Sequence, residues 1–134
     1  MGERISISQK HQLVRAIQEV ECEGICIWNR PSLKGNDGEL GPLQITKQYV
    51  DDVNRITGTS YSYYDRGAAG ACYGMMWIYW DHYATVERLG HEPTMEDLAR
   101  IHNGGPNGWK KASTKQYWRK VEAVLDKQTK DSSP

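Results

Sequence analysis

Residues 99–108 read Ala99-Arg100-Ile101-His102-Asn103-Gly104-Gly105-Pro106-Asn107-Gly108, and this run organises the C-terminal half of the chain. Upstream, Thr94 and Asp97 form a box-like helix start, and Leu98 and Ile101 repeat at helical spacing. Asn103-Gly104-Gly105-Pro106 then breaks the pattern, because two glycines and a proline are costly inside any regular element. A helix over 94–102 therefore ends at a turn, and the simplest role for that turn is a C-cap. Downstream, Tyr117, Val121, Val124 and Leu125 form a new apolar stripe. Ser113 or Thr114 opens this last helix, which runs to about Lys127.

Working back towards the N-terminus, Leu13, Val14, Ile17 and Val20 form an amphipathic stripe over 8–23, with Ser8 as a cap and Gly24 as a stop. Residues 28–42 hold Pro31, Gly35, Gly38, Gly41 and Pro42 without helical period. They predict a turn-rich loop or small hairpin, with its turn at Gly35-Asn36-Asp37-Gly38. Thr46 opens a further helix with Tyr49, Val50, Val53 and Ile56 inward and Gly58 at its end. Residues 58–67, with Tyr61, Tyr63 and Tyr64, read as a loop. Residues 68–84 predict a helix that is aromatic on more than one face, through Tyr73, Met76, Trp77, Tyr79, Trp80 and Tyr83, and so a central one. The fold class is α+β and mainly α: about five helices and a small loop or hairpin lobe.

With 134 residues, 38% hydrophobic and 25% charged, the chain suits one globular domain over 1–127 followed by a polar tail over 128–134. Lysine plus arginine equals aspartate plus glutamate at 17 each, which argues against a nucleic-acid binder driven by bulk charge. No apolar run of about 18 residues spans a membrane. Residues 1–10 contain no apolar signal region. Cys22, Cys26 and Cys72 are an odd count; pairing Cys22 with Cys26 is sterically demanding on a helix, and no ligand spacing suggests zinc. Neither a metal nor another cofactor is expected, and a monomer is.

Glu21 stands out chemically. It follows Val14 by seven and Ile17 by four, so it shares the face of the apolar stripe. A carboxylate there loses hydration and holds its proton more tightly, as a general acid working near neutral pH requires. The alternative is an ordinary helix-end glutamate, as Glu19 and Glu23 read.

Three segments in order, Val20-Glu21-Cys22, Gly38-Glu39-Leu40-Gly41-Pro42-Leu43-Gln44-Ile45 and the 99–108 run with its Thr114, Tyr117, Trp118 and Val121, resemble invertebrate-type lysozymes and their cysteine-poor microbial relatives. The resemblance covers roughly residues 10–125. It implies a lysozyme-like fold with a cleft between lobes, and hydrolysis of the bond between N-acetylmuramic acid and N-acetylglucosamine in bacterial peptidoglycan. The family's Val-Glu-Ser glutamate, its catalytic acid, falls on Glu21. Animal members carry an aspartate in the following loop, but that position falls near Lys34, which cannot serve. Asp37 and Glu39 are the nearby acids, and either is a candidate nucleophile or base. With neither, Glu21 alone would act, as in lytic transglycosylases, which share the fold class.

Gln44, Tyr49, His102, Asn103, Gly104 and Gly105 are the candidate substrate-binding residues. An amide binds sugar hydroxyls or acetamido groups, and glycines let a glycan approach the backbone. His102 also reads as a helix-end dipole partner. Trp28, Trp109, Tyr117 and Trp118 are candidate sugar platforms, in a chain with 5 tryptophans, 8 tyrosines and no phenylalanine. A glycan-binding module that does not cleave, and a helical protein without glycan affinity, are the alternatives to an enzyme. A wall target implies secretion or release by lysis.

Overall fold

The computed structural model describes residues 4–22 and 38–131. Among these lie six α-helices: α1 (Ile7–Cys22), α2 (Lys47–Thr57), α3 (Ala69–Tyr83), α4 (Val86–Leu89), α5 (Met95–Gly104) and α6 (Lys115–Asp131). The architecture is mainly α, as expected. The one-turn α4 was not foreseen; Thr85 caps its start and Gly90, in the left-handed region, ends it. Helix α6 continues beyond Lys127 to Asp131.

Local chemistry explains the helix limits. Thr46 accepts from the backbone of Tyr49, and Gly58 closes α2 at φ 68°. Thr94 and Asp97 form a complete capping box at α5. At α1 the cap is Ser6 rather than Ser8. Gln9 stands three residues after Ser6, so the Ser6 hydroxyl accepts from Gln9 N at 3.0 Å and Ser6 N donates to Gln9 Oε1 at 2.8 Å. Ser8 has His11 at that spacing and cannot close such a box. A 3-10 turn over Ala112–Thr114 precedes α6, which therefore opens at Lys115.

Two helices are buried deeply. On α3, Cys72, Met75, Met76, Tyr79 and Trp80 are buried, in keeping with its apolar surround. On α5 every residue from Asp97 to His102 is buried, polar ones included. This helix packs against α1, α3 and α6. Leu13, Ile17, Leu43, Val50, Val53 and Val121 complete the core.

Ahead of α2, Leu40 and Ile45 pair as an antiparallel bridge with hydrogen bonds of 3.1 and 3.2 Å. The turn Gly41–Gln44 between them is held from below by Arg66. This buried guanidinium donates to the carbonyls of Gly38 and Ile45, each at 3.0 Å, and to that of Tyr63 at 2.8 Å. The backbone of Arg66 approaches so closely that a Cβ on Gly41 would sit 2.0 Å from its carbonyl oxygen, and Gly41 has φ 87°. Only glycine fits there. The turn expected at Gly35–Gly38 lies outside the described residues save for Gly38.

Candidate active site

A cleft of about 620 Å³ opens where the C-terminal ends of α1 and α5 meet the 38–46 segment and α2. Glu21 comes from α1, Glu39 and Gln44 from the bridge segment, and Tyr49 with Asp51, Asp52 and Arg55 from α2. Tyr79 of α3 and His102 to Pro106 line it as well. Helix spacing explains the placement of Glu21: the stripe that buries Leu13, Val14 and Ile17 carries it to the inner end of the helix.

The Glu21 side chain is 16% exposed. Its Oε2 accepts a hydrogen bond from the Tyr117 hydroxyl at 2.8 Å. Burial raises its proton affinity, the Tyr117 bond partly opposes this, and the charge of Glu39 adds to it; the result is a pKa of about 7. The carboxyl therefore keeps a large protonated fraction near neutrality.

His102 stands beside it, with Nε2 3.7 Å from Glu21 Oε2. That nitrogen lies 2.9 Å from the carbonyl oxygen of Leu43, which can only accept. Nε2 therefore carries the proton, and Nδ1 accepts from the Tyr49 hydroxyl at 3.1 Å. Burial pushes the imidazole down to about 4, so the ring is neutral near neutral pH. It serves as a bridge between α2, α5 and the bridge segment, not as a charged partner for the helix dipole. Tyr49 in turn stacks on Tyr79, with ring centroids 3.9 Å apart, which makes one cleft wall an aromatic slab.

The glycine-rich wall owes its shape to a buried clasp beneath it. Arg100 donates from Nε to Thr114 Oγ1 at 2.8 Å, from Nη2 to Lys111 O at 2.8 Å and from Nη1 to Glu96 Oε2 at 2.6 Å. The Thr114 hydroxyl lies 2.6 Å from Gly108 O and 3.0 Å from Lys111 O. A Cβ on Gly108 would fall 2.0 Å from Arg100 O, and one on Gly104 would fall 2.5 Å from the Thr114 methyl. Gly105 leaves α5 at φ 88°. The arginine, the glycines and the threonine of the C-terminal pattern are thus parts of one turn.

Glu21, Glu39, Gln44, Tyr49, His102, Asn103, Gly104 and Gly105 all line this one cleft. Asp37 and Trp28 lie outside the described residues, as does Cys26. Cys72 is a free buried thiol, and Cys22 is buried with its Sγ donating to Pro42 O at 3.3 Å. The expected sugar platforms are corrected: Trp109, Tyr117 and Trp118 pack against the core and do not line the cleft, and Tyr117 contacts Glu21 instead. The aromatic surface comes from Tyr49 and Tyr79. Asp51 and Asp52 were also missed, although the run Tyr49-Val50-Asp51-Asp52 places two acids one turn from the Thr46 cap. Asp52 is held by Arg55 and the Tyr83 hydroxyl, and Asp51 by the Tyr63 hydroxyl at 2.7 Å. Among the described residues no group of three His, Cys, Asp or Glu could hold a metal.

No family model matches the chain. It is similar to Lysozyme 1 of Crassostrea virginica, 50% identical over 36 residues that make up 27% of this chain and 20% of that protein. It is also similar to the lysozyme of Magallana gigas, 36% identical over 83 residues, 60% of this chain and 56% of that protein. The matched region thus spans 20% and 56% of the length of these curated relatives. A chain in the crystal structure of Aeromonas hydrophila PliI in complex with Meretrix lusoria lysozyme matches with a TM-score of 0.68 and 28% identity, over 92% of this chain and 93% of that one. With near full-length agreement in fold and partial sequence matches to two lysozymes, the chain is similar to invertebrate-type lysozymes.

Proposed function

We propose that this protein is a glycoside hydrolase of the lysozyme type, cleaving peptidoglycan between N-acetylmuramic acid and N-acetylglucosamine with Glu21 as general acid. The observation that carries this reading is a carboxyl group with a pKa of about 7 lining an open cleft. A carboxylic acid that is still protonated near neutrality can donate to the leaving glycosidic oxygen. Oε2 is occupied as the acceptor of the Tyr117 hydroxyl, which leaves Oε1 to carry the proton. Glu39 is the proposed partner, as nucleophile or base. It lines the same cleft, and its charge raises the proton affinity of Glu21. Gln44, Asn103 and the Gly104-Gly105 backbone supply polar groups for sugar hydroxyls and acetamido groups, and Tyr49 lines the same cleft.

Digestion of purified peptidoglycan by the wild type and by Glu21→Gln, with fragments read by mass spectrometry, tests this. Hydrolysed reducing ends from the wild type, absent with the variant, are expected. Anhydro ends would replace hydrolysis with transglycosylation by Glu21 alone. No fragments from the wild type would make the protein a glycan-binding module.

A further inference from the structure

A second cavity, of about 420 Å³, lies beside the cleft, and Glu39 lines both. Its walls include Leu40, Lys47, Tyr63, Tyr64 and Arg66. The platform is rigid. Tyr63 donates to Asp51, itself a wall of the main cleft, and its ring lies 5.8 Å from the Arg66 guanidinium. Arg66 is buried, with hydrogen bonds to three backbone carbonyls. Its charge therefore supports the platform and is not offered to a ligand.

Lys47 differs. It is exposed at the first position of α2, and its ammonium sits 5.3 Å from the Tyr63 ring centroid. Among the described residues no carboxylate stands within ion-pair distance of it. Tyr64 is 90% exposed and Tyr63 41%, so aromatic surface is left in water at the mouth of the cavity. Isolated exposed rings are unremarkable, but two rings and a cation around one concave site form a recognition surface.

Resting on the proposed glycan-cleaving function, we infer that this cavity receives the peptide branch of the wall glycan. A branch carboxylate pairs with Lys47, and the aliphatic part of the branch lies on Tyr64. The cation decides between this and a further neutral sugar. An ammonium over an aromatic ring contributes to anion binding, whereas a neutral ring needs only the tyrosine face. The shared Glu39 wall places the cavity next to the glycan path, as a branch on the sugar backbone requires.

The test measures dissociation constants in the Glu21→Gln background for two probes: glycan strands bearing peptide with free carboxylates, and the same strands stripped of peptide. The expected result is about fivefold tighter binding of the peptide-bearing strands, a typical return for one exposed ion pair with a ring contact. This preference should shrink with added salt. Lys47→Ala and Tyr64→Ala, both on the surface, should each abolish most of it while leaving affinity for stripped strands intact. Equal affinity for the two probes overturns the inference alone. Loss of both affinities in the variants, by the same factor, assigns the platform to sugar and also overturns it. Failure to bind either probe overturns the glycan reading itself.

Discussion

The Tyr117 hydroxyl reaches across 96 positions of sequence to donate to Oε2 of Glu21 at 2.8 Å. Helix α6 thereby fixes the orientation of a carboxyl carried by α1, the helix it packs against. The bond also favours the ionised carboxylate and so moderates the rise caused by burial. Tyr117→Phe should raise the proton affinity of Glu21 further and let the carboxyl turn. The alkaline limb of the pH–rate profile should move up, and the maximal rate should fall about tenfold through lost positioning. An unchanged profile would separate Tyr117 from catalysis.

Glu39→Gln removes the proposed partner and a charge that raises the Glu21 pKa. Cleavage should fall at least about a hundredfold, the scale of a general base, while the remaining activity shows an alkaline limb at lower pH. Asp37→Asn measured in parallel separates the two candidate acids. A large loss in the Asp37 variant with none in the Glu39 variant would transfer the role.

Glu21 and His102 act on stability with opposite signs. The folded pKa of Glu21 is raised from 4.5 to about 7, so the native state holds the extra proton and stability declines as pH rises through that window. The folded pKa of His102 is lowered from 6.5 to about 4, so the unfolded state takes up the proton and stability declines as pH falls through that window. Between about pH 4.5 and 6.5 the two slopes oppose each other. Glu21→Gln should therefore stabilise the protein above pH 7, by roughly 2 to 3 kcal/mol, and expose a slope rising with pH below 6.5. Urea titrations across pH 4–8 measure both effects.

Much of the fold was legible because helix caps and stripes are local. Thr46, Gly58, Thr94 and Asp97 act where their spacing put them. Ser6 rather than Ser8 caps α1 because the box depends on the residue three positions later, which is Gln9 for Ser6 and His11 for Ser8. The burial of Glu21 was legible from its place on the apolar stripe. Its contact with Tyr117 was not, since nothing near either residue encodes a pairing between α1 and α6. For the same reason Tyr79, legible only as a core ring, also lines the cleft. The Arg100–Thr114 clasp gives the 99–108 pattern a physical meaning that glycine and proline chemistry alone did not reveal.

That clasp supplies a stability test. Thr114→Val leaves the buried Arg100 Nε and the Gly108 carbonyl without their partner and should cost about 1 to 3 kcal/mol. Gly108→Ala should be worse, because its Cβ would collide with the Arg100 carbonyl. Gly70→Ala, on α3 with open space around it, serves as the control and should be neutral or mildly stabilising. Equal effects at Gly108 and Gly70 would deny the close approach.

The general-acid role rests on one property, a proton held by Glu21 near neutral pH. Titration of its side-chain carboxyl carbon by NMR, with Glu21→Gln to assign the signal, measures that property directly. The predicted midpoint is about 7. A midpoint near the ordinary 4.5 would mean a carboxylate already ionised at neutral pH, and would contradict the role.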